Sequence, residues 1–192
     1  MLFKENDMSM KMYSIEETYR LVWPDNFRHF TMDSPALSVV TDFRFTMPLV
    51  IESDTPAYDL EELMTKAHER FKLVVDSDNR FIGLVALEDL QHPDFLARIA
   101  AVYTRDSLTV SEVMRPRHTL QALDYPDLEK ATIRDIIESL KDFDYHHCLV
   151  VDRGAEEVRG LVSASDIEKH LLSPTTFTKA PGFAKLYQSL NP

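Results

Sequence analysis

Two kinds of hydrophobic pattern alternate along the chain. Apolar, β-branched runs at 71–76 and 81–86 flank the turn-forming stretch Asp76 to Arg80, which predicts a two-stranded hairpin. The same arrangement returns at 147–152 and 158–163, around Arg153-Gly154. Neither pair of runs alternates cleanly between apolar and polar, so both sheet faces are expected to be covered. Upstream of each hairpin the spacing becomes helical. Leu60, Leu63, Met64 and Ala67 form one stripe, and Ile133, Ile136, Ile137 and Leu140 form the other. Asp54 or Thr55 is the expected N-cap of the first helix, with Pro56 in its first position. Thr132, with Asp135 three residues on, predicts a capping box on the second. The short apolar segments Leu49 to Ile51 and Leu120 to Leu123 precede these helices as strands. Tyr125 to Lys130 has no counterpart in the first unit and is expected to form a loop.

The two regions are a repeat. Leu73-Val74-Val75-Asp76 is identical to Leu149-Val150-Val151-Asp152, and Gly83-Leu84-Val85 is identical to Gly160-Leu161-Val162. The offset grows from 76 to 77 residues because the second turn is one residue longer. Each unit therefore reads β-α-β-β-α. Outside the units, Ser14 to Glu17 opens a short helix ending before Pro24, Phe95 to Val102 reads as a connecting helix, and a Pro-punctuated tail carries Phe183, Leu186 and Tyr187. The division expected is an N-terminal extension at 1–37, repeat units at 38–103 and 104–172, and a tail at 173–192. The fold class is α/β, with the two repeats packed about a pseudo-twofold axis.

Composition narrows the chemistry. The net charge is −11, which disfavours nucleic acid and anionic membrane surfaces as partners. No apolar run is long enough to span a membrane, and Met1 to Lys11 lacks the apolar stretch of a secretory signal. Cys148 is the only cysteine, so no intramolecular disulfide can form, and a cytoplasmic, reducing location is expected. Four glycines in 192 residues leave no Gly-rich phosphate loop. No nucleophile–base set stands out, so no catalysis is expected. His146, His147 and Cys148 are adjacent on a strand, point to opposite faces and do not make a metal site.

Taken together, Leu-Val-Val-Asp, a turn, and Gly-Leu-Val followed by a residue triplet and an aspartate, found twice in register, resemble a pair of CBS domains, also called a Bateman module. The linker Leu108 to Pro116, containing Val113-Met114-Arg115-Pro116, resembles the segment that leads into such a repeat. The resemblance spans about residues 38–172 and leaves no room for an attached effector, which implies a stand-alone module. It also implies an adenine ligand in the clefts between the units: AMP, ADP, ATP or S-adenosylmethionine. The expected role is non-catalytic sensing, with a signal passed to an unknown effector protein and a homodimer built through the helices. A ligand-free dimerisation scaffold is the alternative.

Ser163-Ala164-Ser165-Asp166 opens the last helix of the second unit. By residue type it reads as a capping box, Ser163 accepting from the amide of Asp166. The same geometry suits a nucleotide: unpaired amides and a hydroxyl for phosphate, a carboxylate for the ribose hydroxyls. In the first unit Asp89 is kept but Ala86 replaces the hydroxyl, so that site is expected to be degenerate. By the family pattern Val162, Val113 and Met114 would wall the adenine of the second site, and Val85 that of the first. Arg115, Arg117, His118, His146 and His147 are the candidates to offset phosphate charge.

Overall fold

The structure, a computed structural model, describes residues 30–58, 60–93, 97, 108–143, 145–171 and 182–190. The first unit contains β1 (Val40–Asp42), β2 (Val50–Glu52), α1 (Leu60–Lys66), β3 (Phe71–Val75), β4 (Phe81–Ala86) and α2 (Leu87–Leu90). The second opens with α3 (Val110–Val113), β5 (Arg115–Pro116) and β6 (Ala122–Asp124). It continues with α4 (Tyr125–Leu128), α5 (Ile133–Ser139), β7 (His147–Asp152), β8 (Glu157–Ser163) and α6 (Ala164–Leu171), and α7 (Phe183–Leu190) follows. The helices expected at Ser14 and at Phe95 to Val102 fall on residues outside the described set, apart from Ala97.

Both hairpins form as the pattern predicts. In the first turn the Asp76 carboxylate accepts from the amides of Asp78 and Arg80, each at 2.9 Å. Asn79 there takes the left-handed conformation that Asn tolerates. In the longer second turn the left-handed position falls on Glu156, not on Gly154. The Asp152 carboxylate accepts from Ala155 at 3.1 Å.

The two four-stranded sheets run β2-β3-β4-β5 and β1-β8-β7-β6. Each is therefore completed by a strand belonging, in sequence, to the other unit. β1 pairs antiparallel with β8, Thr41 opposite Leu161 and Asp42 opposite Gly160. β5 pairs antiparallel with β4, Arg115 opposite Leu84 and Pro116 opposite Gly83. Matching bridges lie just upstream, Pro35 with Thr132 and Pro56 with Thr109. The second bridge corrects the start expected for α1. The Thr55 carbonyl accepts from Val110 and the Ala57 amide donates to Leu108, so this stretch is spent on the exchange and the helix begins at Leu60. On α5 the Thr132–Asp135 capping box is present as expected. Tyr125 to Lys130 is not a plain loop: Pro126 sits in the first turn of the short helix α4.

The sheets meet face to face. Leu73 and Leu84 of the first pack with Leu149 and Leu161, their repeat equivalents, around the pseudo-axis. The opposite faces carry Val74 and Val85 into one helix-side core and Val150 and Val162 into the other. The central strands β3, β4, β7 and β8 are thus covered on both sides. The C-terminal segment is part of the second core: Phe183 and Leu186 of α7 are fully buried there, against the Ile stripe of α5. An ion pair ties β1 to β8. Arg159 donates to both carboxylate oxygens of Asp42, at 2.8 and 2.7 Å, and its guanidinium lies 4.3 Å from the Tyr125 ring centre. That pairing holds the Asp42 carboxyl below its ordinary range. No helix among the described residues is long and apolar enough to cross a membrane.

The two motif glycines are the points where the exchanged strands cross. A Cβ on Gly160 would stand 2.5 Å from the Thr41 carbonyl oxygen, and one on Gly83 would stand 2.6 Å from that of Arg115. Those obstacles are backbone and cannot swing aside. Gly160→Ala should therefore cost ~1–3 kcal/mol, the range of forced overpacking. Gly154→Ala, which would meet only the Asp152 carboxylate at 3.4 Å, should be near neutral. Urea unfolding of the two variants checks this, and equal midpoints would contradict it.

Candidate functional site

The strand exchange decides which residues share a cleft. Val113 and Met114 follow β5 to the first unit and pack against the core that contains Val85. The Met114 sulfur lies against Gly83. The corresponding wall of the second unit is Val39 and Val40, packed in the core with Val162 and Ile167. The sequence reading, which grouped Val113 and Met114 with Asp166, is corrected here. Repeat order placed the lead-in segment beside its own unit, but the backbone ladder delivers it to the other. Val85 and Val162 are 1% and 0% exposed, so neither offers surface to a ligand.

At the start of α2, Ala86 supplies no side-chain cap. The Asp89 carboxylate there already has a cation. Arg115 Nε donates to Asp89 Oδ2 at 2.6 Å, and its Nη2 is 3.8 Å from the Glu88 carboxylate. The same guanidinium lies 4.1 Å from the centre of the Tyr145 ring. Arg115 is thus held by two carboxylates of the first unit and an aromatic ring of the second, and is not placed to meet phosphate at Asp166. The Asp89 carboxylate is therefore already engaged by a side chain of the protein itself.

Its repeat counterpart is built differently. Opposite Leu161, where Arg115 would stand by symmetry, β1 has Thr41. At the Tyr145 position the first unit has Glu69, which pairs with Lys72 at 2.7 Å. Among the described residues the one ion pair of Asp166 is with Lys169 of its own helix, 3.0 Å away, an exposed pair that contributes little. The Ser163 hydroxyl is buried and lies 2.8 Å from Ser165 Oγ, in place of the expected bond to the Asp166 amide. Arg70 stands at the repeat position of His146: their carbonyls accept from Leu87 and Ala164, the residues that open α2 and α6. Arg70 is exposed, and sequence reasoning missed it; the repeat offset from His146 was the signal that could have found it.

His147 sits between the clefts, its ring 4.9 Å from that of Phe71, its own repeat equivalent. Burial, with repulsion from His146, Arg115 and Arg70 and against attraction from Asp166, pushes its pKa down to about 4. It is neutral at pH 7 and brings no positive charge to a phosphate. Its Nδ1 is buried and has no hydrogen-bond partner among the described residues. Arg117 and His118 are also elsewhere. They lie in the exposed turn at the far end of β4, where Arg117 Nη1 is 3.5 Å from the Phe81 carbonyl oxygen. Burial raises the Cys148 thiol to about 12, so it is no thiolate at neutral pH. Among the described residues no group of three or more His, Cys, Asp or Glu side chains could hold a metal ion.

The profile of the CBS domain family matches residues 40–92 and 127–173, just over half of the 192 residues. The chain belongs to the CBS domain family. Solved structures of CBS proteins share its fold. An uncharacterised conserved protein from Pyrococcus horikoshii aligns with a TM-score of 0.53 at 15% identity, over 79% of this chain and 100% of that one. The CBS domain of a bacterial CNNM/CorC family Mg2+ transporter, solved in complex with ATP, gives 0.54 at 17%, over 75% and 91%. CBSX2, solved in complex with AMP, gives 0.51 at 17%, over 72% and 96%. Identities this low establish a common fold for the CBS pair and no more. No curated protein sequence matches the chain.

The neutral buried His147 makes a prediction about pH. Its folded pKa lies below the ordinary 6.5, so its stabilisation is present above about 6.5, is lost as the pH falls towards about 4, and changes no further below that. The loss attributable to this group is up to about 3 kcal/mol. His147→Phe, which copies Phe71, should remove that part of the pH dependence. Urea unfolding at neutral pH and near pH ~4 reads the difference. An unchanged dependence in the variant would refute the assignment.

Proposed function

We propose that this chain is a non-catalytic regulatory module that binds one adenine nucleotide (AMP, ADP or ATP) in the second cleft and signals its occupancy to an effector protein. The observation that carries the reading is the difference between two equivalent carboxylates. Asp89 is taken by Arg115 at 2.6 Å, whereas among the described residues Asp166 is paired with an exposed lysine alone. A carboxylate in the first turn of a helix can accept from both ribose hydroxyls, while free amides at the start of α6 and the Arg70 guanidinium are the groups available to phosphate. Complexes with ATP and AMP are known for the two fold relatives above, which supports an adenine ligand here as well. S-adenosylmethionine would use the same ribose contact. Regulation needs a ligand that prefers one packing of the two sheets over another. We place a homodimer contact on the first unit, where Leu63 is 56% exposed, because α7 covers the α5 stripe of the second. A cytoplasmic location fits the single, buried, protonated cysteine. The scaffold reading, a pair that binds no ligand, is favoured by one feature, the engagement of Asp89 by Arg115.

Each hydrogen bond to a charged group contributes ~1.5–3 kcal/mol, and ~1.4 kcal/mol is a factor of ten. Asp166→Ala should therefore weaken AMP binding by about tenfold or more, measured by ligand-induced thermal shift and equilibrium titration. Asp89→Ala should lower stability by freeing Arg115 but leave nucleotide affinity nearly unchanged. Equal AMP affinity in folded Asp166→Ala and unaltered protein would overturn the assignment to this site, and no AMP binding by the unaltered protein would support the scaffold.

A further inference from the structure

At the hairpin end of the two sheets, a strand's length from Asp89 and Asp166, a cavity of about 920 Å³ opens to solvent between the sheets. Its walls are the inward faces already described, with Leu73, Val75 and Phe81 on one side and Leu149, Val151 and Val158 on the other. Five arginines line it, Arg44, Arg80, Arg117, Arg153 and Arg159, against three carboxylates, Asp152, Glu156 and Glu157. That surplus of positive charge is placed in a chain of net charge −11. Arg159 is neutralised by Asp42. Arg44 and Arg80 face carboxylates only at 4.0 and 3.7 Å, in exposed pairs. Arg117 reaches a carbonyl oxygen at 3.5 Å, and neither it nor Arg153 has a carboxylate within salt-bridge distance among the described residues.

We infer that this cavity binds a small amphipathic anion: an aryl or acyl body lying between the two sheets, with its carboxylate, sulfonate or phosphate head on Arg117 and Arg153. The apolar walls explain the body, since removing its surface from water between two leucine- and valine-lined sheets is favourable. The unpaired guanidiniums explain the head, because they offer planar, bidentate hydrogen bonding to such oxyanions. The volume is in the range of small-molecule sites. A ligand here would touch the hairpins of both repeats, and so would bear on the same sheet-to-sheet packing that nucleotide binding acts on from the opposite end. The site is independent of the nucleotide reading.

The test is a fluorescence titration of the full chain with anilinonaphthalenesulfonate, an aryl body carrying one sulfonate. The expected result is saturable binding of one probe per chain, displaced by laurate and not by AMP. The double variant Arg117→Glu/Arg153→Glu changes two exposed side chains. It should bind the probe at least about tenfold more weakly with an unaltered urea midpoint, while Asp166→Ala should bind it as the unaltered protein does. Probe binding that never saturates, that survives the charge reversal, or that AMP displaces would overturn the proposal. Complete absence of binding would also overturn it and would point to occupation of the cavity by the chain's own residues. Loss of AMP binding in Asp166→Ala with probe binding intact would separate the two sites.

Discussion

Where β1 crosses β8, the Thr41 carbonyl oxygen comes so close to Gly160 that no side chain can stand there, and the same is true of the Arg115 carbonyl at Gly83. These two crossings let each repeat finish the other's sheet. The rest of the arrangement follows. The exchange fixes the sheets face to face about a pseudo-axis and directs Leu73, Leu84, Leu149 and Leu161 into one shared layer. Neither unit could close its sheet alone, so the pair should fold as one cooperative body.

The symmetry is exact enough to make its departures informative. Around Asp89 stand Ala86, Arg115 and Tyr145, and at the equivalent positions around Asp166 stand Ser163, Thr41 and Glu69. All three changes act on one cleft. They remove a hydroxyl, add a cation against Asp89, and add a ring against which that cation rests. Such a partly buried, charge-assisted contact is short and strong, and a ligand would have to displace it. On the axis itself, Phe71 meets His147, an apolar ring against a polar one that burial keeps uncharged. Two copies of one motif have thus diverged: one carboxylate is held by a partly buried arginine, the other by an exposed lysine.

Much of this was legible in the order of residues. The strands of both hairpins were, because long β-branched runs bounded by aspartate turns admit few alternatives, and the identical Leu-Val-Val-Asp runs established the repeat. The Thr132 capping box was legible because it is local. What escaped was what depends on partners distant in sequence. Strands as short as Val40–Asp42 and Arg115–Pro116 carry no period of their own, so nothing in the sequence says which sheet they join. That is why Val113 and Met114 were assigned to the wrong cleft and why the Arg115–Asp89 pair, 26 residues apart, was not foreseen. Pro56 misled for the same reason, since its role is a bridge to Thr109 and not the first turn of α1. The tail shows only a few apolar residues in sequence, yet Phe183 and Leu186 complete the second core.

The central claim is that a nucleotide binds at Asp166 and not at Asp89, whose carboxylate the protein itself engages. Calorimetric titration of the full chain with AMP tests it most directly through the stoichiometry. The account predicts a single site per chain, and two equivalent sites per chain would contradict it.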